Sequence, residues 1–156
     1  MDISTLLDRS TIAKGLEVAD KKELINSVVD LLEPKVNKEQ LEKIRQSVFD
    51  REEIMSTGVG KQLAIPHGKC DSISETLASF AVLDESVEFD SIDNLPVKMV
   101  FLLVGPEDRS NQHIKLLSRI SRLMNSSTFR NKLLECENPD EIFETFKTEE
   151  KEYFGN

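Results

Sequence analysis

The chain of 156 residues has no tryptophan, one tyrosine, two cysteines and two histidines. Cys70 and Cys136 are too few for a disulfide framework, and their scarcity fits a reducing cytoplasm. Neither a paired Cys-x-x-Cys nor a His-Glu-x-x-His spacing occurs, so no metal site is expected. The longest apolar run, Met99 to Val104, is far too short to cross a bilayer. Met1-Asp2-Ile3-Ser4 lacks the basic start and apolar stretch of a secretory signal, so a cytoplasmic location without membrane insertion is expected. Six glycines and five prolines form no linker, and no repeat or low-complexity tract is present. Basic residues are also short: 20 Lys and Arg against 29 Asp and Glu leave a net charge of −9 and a pI near 4.8. Such a field repels nucleic acid and anionic lipid, and favours a protein partner with a basic or apolar face. Gly58-Val59-Gly60 lacks the third glycine of a dinucleotide loop and the lysine of a P-loop, so no nucleotide cofactor is expected.

What is present suits one domain. A chain of this length removes roughly 68–70% of its unfolded surface from water, which needs no covalent or metal staple. Leu16-Glu17-Val18 alternates like a short strand. Asp20 with Glu23 three residues on marks a helix start, and Leu24, Val28 and Leu31 give that helix an apolar face. Asn37 with Gln40 marks a second start, followed by Leu41, Ile44 and Val48 on one side. Leu63-Ala64-Ile65 is a strand halted by Pro66, while Thr76–Leu83 and Val97–Val104 read as central strands covered on both faces. A helix is predicted from Ser110 to Asn125 with Ile114, Leu117, Ile120 and Met124 buried. Another starts at Asn138-Pro139, and Leu133, Ile142, Phe143 and Phe146 pack these last helices onto the sheet. Interspersed helices and buried strands imply a single layered α/β domain over residues 1–147. Residues 148–156, beginning Thr148-Glu149-Glu150-Lys151-Glu152, read as a charged, solvated or frayed tail.

Candidate chemistry is sparse. His67 is delivered by an apolar strand, Pro66 fixes the backbone before it, and Gly68 removes a side chain that would block approach. Taken alone, a Pro-His-Gly turn more often carries a histidine with no task. His113 lies near a helix start just after a buried strand, where α/β sheets gather ligands, although a lone histidine there is commonly a surface residue. Arg51 in Asp50-Arg51-Glu52-Glu53 is either a solvated ion-pair partner or a planar fork for phosphate oxygens. The carboxylates, Glu52-Glu53 among them, read as solvated faces, and Cys70 lacks a recognisable base.

Ser56-Thr57-Gly58-Val59-Gly60 followed by Leu63-Ala64-Ile65-Pro66-His67-Gly68 resembles the signature of mannitol/fructose-type enzyme IIA domains of the bacterial sugar phosphotransferase system. Phe89 to Val97 and Asn111 to Leu117 resemble two further segments of that family in the same order. The resemblance implies a mixed parallel and antiparallel sheet flanked by helices on both faces. It implies that His67 takes a phosphoryl group from phospho-HPr and passes it to a cysteine of an enzyme IIB domain, a phosphotransferase activity without added cofactor. His113 matches the second active-site histidine and Arg51 the arginine before the Ser-Thr-Gly loop, both expected to hold the phosphoryl group. Thr57 and the amides near Gly58 are further phosphate-binding candidates. The Pro66-His67-Gly68-Lys69 run also resembles the nitrogen-regulatory branch, whose output is phosphorylation-dependent binding of a regulatory partner. The sugar served stays open.

Overall fold

The computed structural model describes residues 1–155. Its centre is the antiparallel pair of β5 (Leu77–Val87) and β6 (Val97–Pro106), joined in a register that sets Phe80 opposite Phe101. β1 (Ile12–Leu16) pairs parallel with β5. β3 (Leu63–Ala64) and β4 (His67–Cys70) both pair parallel with β6, and β2 (Gly58–Gly60) runs antiparallel to β3. The sheet is therefore mixed, with six strands.

Both central strands read as continuous apolar runs because both faces are covered. Met99, Phe101 and Leu103 of β6 face one cluster, with Leu116, Ile120 and Leu123 of α3 (Ser110–Met124), Phe129 of α4 (Ser127–Glu135) and Phe146 of α5 (Pro139–Phe154). Val100, Leu102 and Val104 face the other cluster, with Leu24 and Val28 of α1 (Lys21–Asp30) and Ile44 and Val48 of α2 (Lys38–Ile54). This is the layered α/β domain expected from the sequence.

The helix starts obey local chemistry. Asn37 Oδ1 accepts from Gln40 N at 2.8 Å while Gln40 Oε1 accepts from Asn37 N at 2.9 Å, a reciprocal cap. Asn138 caps α5 with Pro139 in its first turn. Three expectations need correction. The first strand ends at Leu16 instead of beginning there, because Ile12 to Leu16 are the residues that pair with β5. The buried stripe of α3 runs through His113, Leu116, Ile120 and Leu123, so Ile114 points outward and is 64% exposed. Thr148 to Glu152 are not a frayed tail but the last turns of α5, and Asn156 lies outside the described residues. Glu150 is buried there and accepts from Ile3 N at 2.6 Å, Ser4 N at 2.9 Å and Arg119 Nε at 2.7 Å. Among the described residues no helix is long and apolar enough to cross a membrane.

Candidate active site

β3 and β4 keep one continuous register along β6: Leu63 opposes Met99 and Ala64 opposes Val100, then His67 opposes Leu103. Ile65 and Pro66 form the break between them, and Leu103 N donates to Pro66 O at 3.1 Å. His67 thus opens β4 with its imidazole half-buried. Period-two alternation sends Gly68 to the opposite face, against α2. A Cβ on Gly68 would lie 2.7 Å from Ser47 Oγ and 3.1 Å from the Ser47 carbonyl carbon. Gly68 therefore serves the close approach of α2 to β4; it does not clear a path to His67.

The Nδ1 of His67 lies 2.9 Å from Ile65 O. A carbonyl only accepts, so Nδ1 carries the proton and Nε2 keeps its lone pair. Ile65 precedes a proline and its backbone is held extended, which fixes where that carbonyl points. Burial lowers the His67 pKa, and the Arg51 cation lowers it further, against the upward pull of the Ile65 carbonyl and the Glu52 carboxylate. At neutral pH the ring is uncharged.

His113 enters from the first turn of α3, with its ring centroid 5.8 Å from that of His67 and the planes at 52°. It is buried, and neither ring nitrogen has a hydrogen-bond partner among the described residues. Burial, then the neighbouring His67 and Lys69, hold its pKa down to about 4. Buried imidazole nitrogens normally find hydrogen-bond partners, which marks this position out. Lys69 stands two residues after His67 on the same face of β4, and its Nζ donates to Ser110 Oγ at 3.2 Å. Arg51 lies in the last turn of α2; its Nη1 donates to Met55 O at 2.9 Å, and among the described residues its other guanidinium donors make no hydrogen bond.

Thr57 and Gly58, the further phosphate-binding candidates, both have their donors engaged within the fold. Thr57 donates its amide to Glu52 Oε2 at 2.7 Å and its hydroxyl to Glu52 Oε1 at 2.5 Å. Gly58 N donates to Ser56 Oγ at 3.1 Å, and a Cβ on Gly58 would meet Ser91 Oγ at 2.5 Å. In this structure those donors are engaged inside the fold, where both residues shape the loop. Glu52, read from the sequence as solvated, is buried and also pairs with Lys21 Nζ at 3.1 Å. Its signal was available: it continues the stripe of Leu41, Ile44 and Val48, where a charge must be matched inside.

The family model for the phosphoenolpyruvate-dependent sugar phosphotransferase system, EIIA 2, matches residues 5–149, and the chain belongs to that family. It is 30% identical over 141 residues to the fructose-specific EIIA component of Haloferax volcanii, covering 90% of this chain and 92% of that protein. It is 30% identical over 151 residues to the fructose-specific EIIABC component of Bacillus subtilis, covering 97% of this chain but spanning only 24% of that longer relative. The solved structure of the nitrogen regulatory protein IIA-Ntr from Neisseria meningitidis superposes with a TM-score of 0.86 at 29% identity, covering 92% of this chain and 98% of that one.

Proposed function

We propose that the chain is a histidine phosphocarrier in which His67 Nε2 takes a phosphoryl group from phospho-HPr and yields it to a cysteine of an enzyme IIB domain. The observation that carries this reading is the pinning of His67 Nδ1 on Ile65 O, which leaves Nε2 free beside the unpartnered, buried His113. In the acceptance step the Nε2–P bond forms as the donor's N–P bond breaks, and that electron pair returns to the donor imidazole. The His67 ring gains positive charge as Nε2 gives up its lone pair, so the Nδ1–H bond to Ile65 O strengthens in the transition state, where it accelerates the reaction. Arg51 offers a permanent cation and planar donors, and neutral His113 offers an N–H, to the three equatorial oxygens. Positioning and charge account for the chemistry, because the donor already carries an activated phosphoryl group.

A protein-sized donor and acceptor are supported by the surface around these segments. Ile54 and Met55 before the Ser56 loop, Val59 in β2, Ile92 in the loop before β6 and Ile114 beside His113 are all exposed. In the Bacillus subtilis relative the EIIA part shares its chain with parts B and C, which supports a IIB acceptor for sugar uptake of the fructose class. A regulatory output is the second reading, favoured by the superposition on IIA-Ntr.

Intact-mass spectrometry after incubation with phosphoenolpyruvate, enzyme I and HPr tests the carrier. An acid-labile gain of one phosphoryl mass, absent in His67→Ala, is expected. Discharge onto a IIB domain supports the transport role, and retention with every IIB tried supports the regulatory one. No gain with active HPr would sink both.

A further inference from the structure

We propose that Glu52 is a positioning residue for His67, acting through a chain of hydrogen bonds that runs from its carboxylate through Thr57 and Ile65 to the imidazole. The proposal rests on the reading of His67 as the nucleophile, since only there does its ring orientation matter. Glu52 accepts both the amide and the hydroxyl of Thr57. Thr57 O accepts from Ile65 N at 3.0 Å. Ile65 O accepts from His67 Nδ1 at 2.9 Å. A buried carboxylate at the end of α2 is thereby joined in three steps to the group that sets the tautomer of a histidine fifteen positions further along.

The coupling is geometric, not electronic. The N–H and the C=O of Thr57 belong to different peptide planes, and so do those of Ile65, so polarisation does not pass directly along the chain. What passes is direction. Two acceptors on one carboxylate fix the amide and the χ1 of Thr57, and with them the place of its carbonyl carbon, while the bond from Ile65 N sets the heading of that carbonyl. That carbonyl anchors Ile65 N, and the proline after Ile65 restricts the one torsion through which the Ile65 carbonyl could swing away. Lys21 Nζ pairs with the carboxylate at 3.1 Å and lies 4.6 Å from the centroid of the Phe89 ring. Ser56 Oγ ties the same loop to Phe89 O at 2.8 Å. The acceptor set is therefore rigid before any phosphoryl group arrives, as catalytic geometry requires.

A merely structural Glu52 would affect stability and leave the ring nitrogens alone. Nitrogen-15 NMR of the imidazoles at pH 7.5 separates the two roles. In the intact chain His67 is expected as a single tautomer with the proton on Nδ1. Glu52→Gln keeps one acceptor for the Thr57 amide but turns its NH2 toward the Thr57 hydroxyl and loses the ion pair with Lys21, so the anchor loosens and the His67 signals move toward a mixture of tautomers. Phosphoryl acceptance then falls about tenfold, with the KM for the donor unchanged, because a misaimed nucleophile loses rate before it loses binding. Thr57→Val, which keeps the amide and removes the hydroxyl, shifts the signals in the same sense, and Thr57→Ser restores them. Should Glu52→Gln fail to fold, Thr57→Val decides the matter by the same readout. A folded variant with unchanged His67 nitrogen shifts and unchanged rate overturns the proposal. The tautomer signal needs no phosphate, so a chain that shifts its tautomer but never accepts phosphate would overturn the carrier reading and leave the positioning role standing.

Discussion

A Cβ placed on Gly105 would stand 3.0 Å from His113 Nδ1, so the end of β6 is the floor on which the second imidazole lies. Gly105→Ala is expected to lift the His113 ring by a few tenths of an ångström. A displacement of this size is expected to slow transfer by up to about tenfold, since a full ångström costs about a hundredfold. Overpacking costs about 1–3 kcal/mol of stability. Rapid-quench acceptance assays beside urea denaturation measure the two effects, and an unaltered rate would show that His113 does not touch the phosphoryl group.

His67→Ala removes the proposed nucleophile from a half-buried strand end without opening the apolar core. Acceptance is expected to vanish while the thermal midpoint stays close to that of the parent chain. Mass spectrometry and calorimetry on one preparation check both halves of the statement.

Acid should weaken the fold through its histidines before it reaches its carboxylates. His113 has its pKa lowered from 6.5 to about 4, and that of His67 is also lowered. Across that interval the unfolded chain takes up protons that the folded chain refuses, so stability falls with pH from about 6.5 down to about 4 and is fully present above. The folded state also lowers the pKa values of Asp8 and Glu150, but from ordinary values of 3.8 and 4.5, so their contribution is lost lower down. Urea titrations between pH 5 and 7 are expected to show a shallower slope for His113→Asn than for the parent, and equal slopes would refute the assignment.

Glu150→Ala leaves two amides and the Arg119 guanidinium without their acceptor at a buried corner. Breaking a buried pair typically costs 3–5 kcal/mol, and partial exposure of Arg119 brings the expectation to about 2–3 kcal/mol. Chemical denaturation reads the loss. Acceptance per folded molecule should stay unchanged, since none of these groups belongs to the site.

Local chemistry was legible and distance was not. The Asn37–Gln40 cap and the Asn138-Pro139 start depend on residues a turn apart, and both form as read. The apolar run of β6 announced a strand covered on two sides. The second histidine misled in phase, because a polar residue on the buried stripe shifts the apparent face by one position and turned Ile114 inward on paper. Glu52 was legible in phase, since it continues the stripe of Leu41, Ile44 and Val48, whereas Glu150 is buried because backbone amides meet its carboxylate, and amides leave no mark in a hydropathy pattern. Gly68 was read by its neighbour in sequence when its neighbour in space, Ser47, explains it. Gly68→Ala should therefore lower stability by about 1–3 kcal/mol, measurable in urea, where a glycine that merely cleared an approach would cost nothing.

The parallel register of His67 with Leu103 bears on the order in which the protein can be made. The partner strand lies thirty-six positions later in the chain, beyond the whole of β5, so β4 has nothing to align against until β6 has been synthesised. Parallel pairing pays its loop-closure entropy before any contact rewards it, and such steps come late in folding. A nascent or partly folded chain exposes the histidine on an unaligned segment, where its ring nitrogens are interchangeable. The ring that we propose as phosphoryl acceptor is thus set in place last, once the sheet is complete.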